Sequence, residues 1–285
     1  MTETILVTGA AGFVGGRLVP ALQRGGFTVV SHGRADGDLA EAPPTTAATC
    51  VVHLAGRTFV PESWTDPLAF YRDNTLATGG VLEYCRRTGA RLVHLSSYVY
   101  GPPEHLPVAE SHPRRAFNPY ALSKILAEDL IAFHEARFGL KAAVIRPFNL
   151  YGPGQDERFL IPTIIRQIVN PDCASIVVRD VQPKRDYLFV DDIVELILPV
   201  VRSGATGVFN AGSGRSVSVA GIIDMLASLA GISKPVSVSG DVRPGEVMDV
   251  VADTAAAARA FGWTPRVSLR DGLGITLDAA KRRHP

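Results

Sequence analysis

Ile5-Leu6-Val7-Thr8-Gly9-Ala10-Ala11-Gly12-Phe13-Val14-Gly15 passes from an apolar run through three glycines into a helical pattern. Ile5 to Thr8 shows no polar alternation, as expected of a strand buried on both faces of a parallel sheet. Phe13 to Arg24 places Val14, Leu18 and Leu22 at i, i+4 and i+8, which predicts a helix. Gly9 permits the tight turn, Gly12 lets a pyrophosphate approach backbone N–H groups, and Gly15 lets the helix pack on the sheet. The helix N-terminus then meets the phosphates with roughly half a positive charge. A glycine triplet alone could be an ordinary turn, but the flanking strand and helix favour a phosphate cradle.

The alternation continues outward. Thr28 to His32 and Cys50 to Leu54 read as strands, Asp66 to Arg87 as a long helix, and Arg91 to Leu95 as a further strand. Tyr120 to Phe138 is helical, and Ala142 to Ile145 is another strand. Strands alternating with helices build right-handed βαβ units, hence a doubly wound α/β fold with a parallel sheet. The span between the second strand and Cys50 is short, so one strand and helix are trimmed there. Beyond it, Gly152-Pro153-Gly154 and Pro162 break the pattern. Ile193 to Arg202 reads as a helix, and Gly207 to Ala211 as a strand able to return to the first sheet. Residues 1–150 are therefore expected to form a dinucleotide-binding domain, rejoined by 184–215. Residues 151–183 and 216–285 would form a smaller α/β lobe.

Composition narrows the class. The chain has 285 residues, ample for a buried core, with 29 Lys plus Arg, 28 Asp plus Glu and a formal charge of +1. It offers no long-range positive field for nucleic acid or an anionic membrane. Cys50, Cys85 and Cys173 are scattered among apolar residues, the usage of reduced cytoplasmic thiols rather than a disulfide framework or metal site. A strand beginning by Ile5 predicts no signal peptide, and the apolar run Ile193 to Val201 is too short to span a bilayer. The expected setting is cytoplasmic, with no metal.

Asn118-Pro119-Tyr120-Ala121-Leu122-Ser123-Lys124 opens the later helix, placing Tyr120 and Lys124 one turn apart on one face. A phenol with pKa ~10 is a weak acid–base group at neutral pH. An ammonium within ~5 Å favours the phenolate, and an oxidised nicotinamide adds a second positive charge. A Tyr so tuned exchanges a proton with a hydroxyl while hydride moves at the neighbouring carbon. Tyr and Lys four apart are commonplace on helices. Their weight here comes from Leu95-Ser96-Ser97-Tyr98-Val99-Tyr100-Gly101, which closes a strand at the carboxyl edge where such sheets bind ligands. A serine hydroxyl there can donate to a substrate oxygen as charge develops.

A dinucleotide site usually carries an acid after the second strand, for the ribose 2′-hydroxyl. This strand instead ends His32-Gly33-Arg34. Arg34 could clamp a 2′-phosphate bidentately, which favours NADP(H) over NAD(H). Alternatively Arg34 is a surface residue, and Asp36 or Asp38 reaches the ribose.

With these residues the sequence resembles the extended short-chain dehydrogenase/reductases that act on nucleotide sugars. The resemblance runs through Thr8–Gly15, His53-Leu54-Ala55-Gly56, Ser63-Trp64-Thr65-Asp66-Pro67, Ser96-Ser97, Asn118-Pro119-Tyr120 and Lys124. It continues with Arg146-Pro147-Phe148-Asn149, Tyr151-Gly152-Pro153-Gly154, Arg185-Asp186-Tyr187, Val190-Asp191-Asp192 and Arg243-Pro244-Gly245-Glu246. It implies a Rossmann fold with Ser96, Tyr120 and Lys124 as the catalytic triad. Phe13, Val14, Leu54, Ala55, Gly56, Asn74 and Pro147 would line the cofactor, with Asp38 and Leu39 beside the adenine. Asn149, Arg185 and Arg243 would hold the diphosphate of a nucleotide-sugar substrate, with Glu246 on its ribose and Ser97 at the sugar. Alternatively Arg185–Asp186 is a structural ion pair and Arg243 a solvated loop residue.

The 4,6-dehydratases of that family carry Asp-Glu directly after the catalytic Thr or Ser. Ser97 and Tyr98 occupy those positions here, which disfavours dehydration. The segment Arg146 to Phe159 is most similar to reductases of GDP-4-keto-6-deoxyhexoses. The alternatives are a 4-epimerase holding NAD tightly and, less favoured, a catalytically silent dinucleotide-binding sensor. The family also implies a homodimer joined by a four-helix bundle, with Leu126, Leu130 and Phe133 facing either the partner or the sheet.

Overall fold

The apolar runs assemble into one sheet. In the computed structural model, which describes residues 3–240 and 247–283, its strands are β1 (Thr4–Thr8), β2 (Thr28–His32), β3 (Cys50–His53), β4 (Arg91–Leu95), β5 (Ala142–Pro147) and β9 (Gly207–Ala211). They run parallel in the order β2-β1-β3-β4-β5-β9. β3 and β5 are buried at every position, which explains why their sequences do not alternate. β2 forms an edge, and a single 3-10 turn at Arg34–Asp36 follows it before β3. Strand order reverses at β1 and β3, so the crevice above their carboxyl ends is the natural ligand position.

One face is covered by α1 (Gly15–Arg24) and α7 (Val190–Ser203), whose Leu18, Leu22, Ile193 and Ile197 pack onto Ile5, Val7 and Val52. α4 (Ala77–Thr88) and α5 (Pro119–Phe138) cover the other through Val81, Leu82 and Ile131. The helix expected over 66–87 is divided. The short α2 (Val60–Thr65) precedes α3 (Pro67–Phe70), a π-helical turn (Tyr71–Leu76) follows, and α4 begins at Ala77. Asp66 sets the start by accepting from Ala69 N at 3.1 Å, with Pro67 in the first turn. π-turns of this kind mark functional segments, and this one carries Asn74.

The remaining strands form two small sheets: β6 (Asn149–Tyr151), β8 (Lys184–Phe189) and β10 (Ser216–Ser218) in one, β7 (Ile176–Val178) and β11 (Val236–Val238) in the other. With α6 (Leu160–Val169), α8 (Val219–Ala230) and α10 (Leu269–Arg283) they enclose a second core of Ile161, Ile164, Ile222, Leu226 and Leu273. Within 184–215, β8 joins this lobe, whereas α7 and β9 return to the first sheet. The short α9 (Ala255–Phe261) and Trp263 also pack on the first core, Phe261 lying edge-on to Phe209 at 4.9 Å. Periodicity shows which side of such a helix is buried, not which core receives it.

On α5, Leu130 packs towards the sheet while Leu126 and Phe133 are exposed. Among the described residues no helix is long and apolar enough to cross a membrane.

Candidate active site

The glycine turn is forced by close backbone approaches. Gly9 ends β1 at φ +69°, and a Cβ there would lie 2.7 Å from Ala55 N. At Gly15 a Cβ would lie 2.3 Å from the Gly9 carbonyl oxygen. Gly12 N donates to Gly9 O at 3.0 Å, winding the chain through Phe13 and Val14 into α1. The first turn of α1 has neither an acid nor a capping side chain, which leaves the positive end of its dipole to an anion. Leu54 N donates to Thr8 O at 3.2 Å and Ala55 N to Thr8 Oγ1 at 3.3 Å, binding the ends of β1 and β3 together. The close-packed glycine turn with the α1 dipole behind it fits the diphosphate of a nicotinamide dinucleotide.

Both acids after β2 are engaged elsewhere. Asp36 accepts from Gly33 N at 2.9 Å. Asp38 accepts from Ala40 N at 2.9 Å and pairs with Arg72 at 2.5 Å. Leu39 is buried, and its carbonyl lies 2.0 Å from where a Gly80 Cβ would be. Arg34 is exposed.

Gly56, Asn74 and Lys124 converge. A Cβ on Gly56 (φ +153°) would lie 2.5 Å from Asn74 Oδ1 and 3.6 Å from Lys124 Nζ. Asn74 accepts from Arg57 N at 2.8 Å and donates to Ser123 Oγ at 2.8 Å. Lys124 Nζ donates to the Leu95 carbonyl at 3.1 Å. Burial pulls the Lys124 amine down to about 8, against the upward pull of the Glu128 carboxylate. Burial pushes the Tyr120 phenol up to about 12, partly offset by a hydrogen bond with Ser97. The spacing of Tyr120 and Lys124 predicts a phenol governed by the amine. Here burial governs it, and the amine is turned to a strand carbonyl.

The two serines that follow β4 have different surroundings. Ser96 is buried and donates to Glu128 Oε1 at 2.5 Å, and Ser97 is buried as well. The positions that follow Ser96, Ser97 and Tyr98, carry no carboxylate, and neither does Val99.

Pro147 is buried at the end of β5, paired with Ala211. Asn149 donates to Asp186 O at 3.1 Å and accepts from the Tyr98 hydroxyl at 3.3 Å. Tyr98 stacks on Phe148 at 5.2 Å. Arg185 donates to Lys184 O at 2.9 Å and Val247 O at 2.5 Å. Asp186 instead accepts from Ser213 N at 2.6 Å, Gly214 N at 3.0 Å and Ala252 N at 3.0 Å, so it is not the acid of an Arg185 pair. Arg243 and Glu246 lie outside the described residues. The sequence reading missed Phe59 and Arg158. Phe59 meets Phe159 edge-on at 5.5 Å and lies under Arg158 at 4.5 Å, joining the segment after β3 to the one before α6. No motif announces that contact.

Beneath Lys124 lie two neutral histidines. His53 Nδ1 is 2.7 Å from Thr8 Oγ1, and its Nε2 is 3.1 Å from Thr78 Oγ1, which itself donates to Asn74 O at 2.6 Å. The Thr78 geometry therefore places the ring proton on Nε2. The His94 ring lies 5.3 Å away, tilted by 34°, with neither ring nitrogen hydrogen-bonded. Burial and the nearby Lys124 charge push His53 down to about 3 and His94 well below the usual imidazole range. An unfolded chain binds these protons near pH ~6.5 and the folded one does not, so stability is lost as pH falls below that value. His94→Leu removes one of the two liabilities. Its stability relative to the parent should rise by up to ~1.4 kcal/mol per pH unit between about pH 6 and 4, read by urea unfolding. A difference independent of pH would contradict a neutral buried His94.

Comparison with known proteins agrees with this geometry. The sequence model of the NAD dependent epimerase/dehydratase family matches residues 5–212. GDP-6-deoxy-D-mannose reductase of Pseudomonas aeruginosa is 33% identical, over 97% of this chain and 97% of its own. UDP-glucose 4-epimerase of Azospirillum brasilense is 30% identical, over 94% of this chain and 89% of its own. The structure of RMD from Pseudomonas aeruginosa complexed with NADPH matches with a TM-score of 0.89 and 30% identity, covering 99% of this chain and 100% of that one. A glycine cradle on a doubly wound sheet, with a Tyr and Lys one helical turn apart beside it, thus makes this chain an enzyme of the NAD dependent epimerase/dehydratase family, the extended short-chain dehydrogenase/reductases, with a site for a nicotinamide dinucleotide.

Proposed function

We propose that this enzyme is an NADPH-dependent 4-keto reductase of a nucleotide-activated 6-deoxyhexose. The carrying observation is at the strand end after β4. Ser96 is followed by Ser97, Tyr98 and Val99, where elimination of water would need carboxylates. Hydride transfer at a ketone needs only a proton donor and an oriented oxygen. A phenol held near 12 is protonated at neutral pH, as a donor must be. Tyr120 gives its proton to the ketone oxygen, Ser96 orients that oxygen with Ser97 at the sugar, and Lys124 supplies positive charge beside the phenolate that remains. The bound nicotinamide supplies the hydride.

Asn149 and Arg185 hold the diphosphate, with Arg243 and Glu246 completing the site on nucleotide and ribose. The exposed Leu126 and Phe133 meet a second copy in a homodimer, and the protein works in the cytoplasm. The NADPH preference is supported by Arg34, because Asp36 and Asp38 are occupied by Gly33 and Arg72. Arg34→Ala should lower the NADPH-over-NADH preference about tenfold, through NADPH alone. Loss of activity with both cofactors in equal measure would count against that role.

The test is a panel of GDP-, UDP- and dTDP-linked 4-keto-6-deoxyhexoses assayed with NADPH and NADH by nicotinamide absorbance. Turnover of a 4-keto sugar with NADPH is expected. NAD that survives dialysis, with interconversion of 4-epimers and no added cofactor, would favour the epimerase instead.

A further inference from the structure

Two segments leave the carboxyl edge of the sheet on either side of β4 and meet beyond it. β4 lies between β3 and β5, and residues 54–59 follow β3 while residues 149–159 follow β5. Each segment is fixed near its root. Arg57 N donates to Asn74 Oδ1 at 2.8 Å, and the Arg57 guanidinium pairs with Asp73 at 2.7 Å. On the other side, Asn149 accepts from the Tyr98 hydroxyl at 3.3 Å. Arg17 of α1 donates to Pro153 O at 2.5 Å and pairs with Asp191 at 3.0 Å. The tips meet through side chains. Phe59 and Phe159 lie edge-on at 5.5 Å, with Arg158 over the Phe59 ring at 4.5 Å. Glu62 is 3.7 Å from both Arg57 and Arg158. Both rings are half-buried and belong to none of the hydrophobic cores. The exposed Gly154, at φ +86°, separates the fixed Pro153 from the tip at Phe159.

We propose that the contact of Phe59 with Phe159 and Arg158 is a latch between the two lobes, closed across the end of β4 and released to admit the sugar of the substrate. This rests on the reading of Ser96 and Tyr120 as the place where that sugar reacts. With their roots fixed and their tips joined, the two segments enclose the end of β4, which leads into Ser96 and Ser97. The lobes have separate cores, so they can part here by losing a few side-chain contacts. An aromatic pair with one cation over it is much weaker than either core, and the latch therefore opens while both lobes stay folded. Asp156 holds the Arg158 guanidinium at 2.9 Å, and Glu62 draws it towards the first lobe. The half-exposed ion pair adds little strength and serves to guide reclosure. Closure over the bound sugar then commits it to reaction.

The test uses the full-length protein with a thiol at the enclosed strand end, and requires neither substrate nor cofactor. Cys50 and Cys85 are buried, so Cys173→Ser removes the accessible cysteine and Ser97→Cys in that background supplies the reporter. Fluorescein maleimide, comparable in bulk to a nucleotide sugar, then labels this thiol through the open state. Phe59→Ala and Phe159→Ala should each raise the labelling rate about tenfold, and the double variant little further, because all three lose the same contact. Phe59→Tyr keeps the ring and should label as slowly as the parent. Amide hydrogen exchange in β4 should be unchanged throughout, which separates opening of the mouth from loosening of the strand. Unchanged labelling in folded Phe59→Ala and Phe159→Ala overturns the proposal, and so does a rise accompanied by faster exchange in β4. Full turnover by Tyr120→Phe would instead overturn the reading beneath it and leave the labelling result intact.

Discussion

Tyr120→Phe should lower kcat for ketone reduction about 10³-fold, equivalent to ~4 kcal/mol of barrier, while NADPH still binds. The substitution deletes one oxygen at the first turn of α5 and leaves Asn118 capping that helix through Ala121 N at 2.7 Å. The ring also keeps its edge contact with Phe70 at 6.2 Å. Folding should therefore be preserved, and the loss should appear in kcat rather than KM, because the proton moves only in the transition state. Single-turnover reduction with bound NADPH separates the chemical step from product release. A variant reducing the ketone within tenfold of the parent would mean that another group, or water, donates the proton.

Gly15→Ala should weaken NADPH binding more than about 100-fold and destabilise the fold by ~1–3 kcal/mol, the range of overpacked interiors. Its Cβ would lie 2.3 Å from the Gly9 carbonyl oxygen and 2.7 Å from Ala10 Cα, so α1 or the phosphate turn must move. Either movement withdraws the helix N-terminus from the diphosphate. Gly16→Ala is the control. It adds a methyl group with nothing within 4 Å, at an exposed position in the same helix, and should bind cofactor normally while gaining ~0.5–1 kcal/mol in stability. Fluorescence titration with NADPH and thermal unfolding read both effects. Equal affinities in the two variants would show that the diphosphate does not rest on this turn.

The features legible in the chain are those encoded within a few neighbouring residues. Ile5 to Gly15 specified a buried strand, a glycine turn and a helix, because each is set by local periodicity and by backbone conformations that glycine allows. Tyr120 and Lys124 could be placed on one face from their spacing alone. Packing decided everything that depends on residues far apart. Ser96 and Ser97 are chemically identical, and only the position of Glu128, 32 residues beyond Ser96, brings Ser96 against the buried Glu128–Arg146 pair. Likewise, burial is the largest influence on the Tyr120 phenol, and burial belongs to the assembled site and not to any pair of letters. The docking of α9 on the first sheet and of β8 in the second lobe has the same origin. Pattern tells a segment which face to bury, whereas contact partners and local dielectric exist only once distant segments have met.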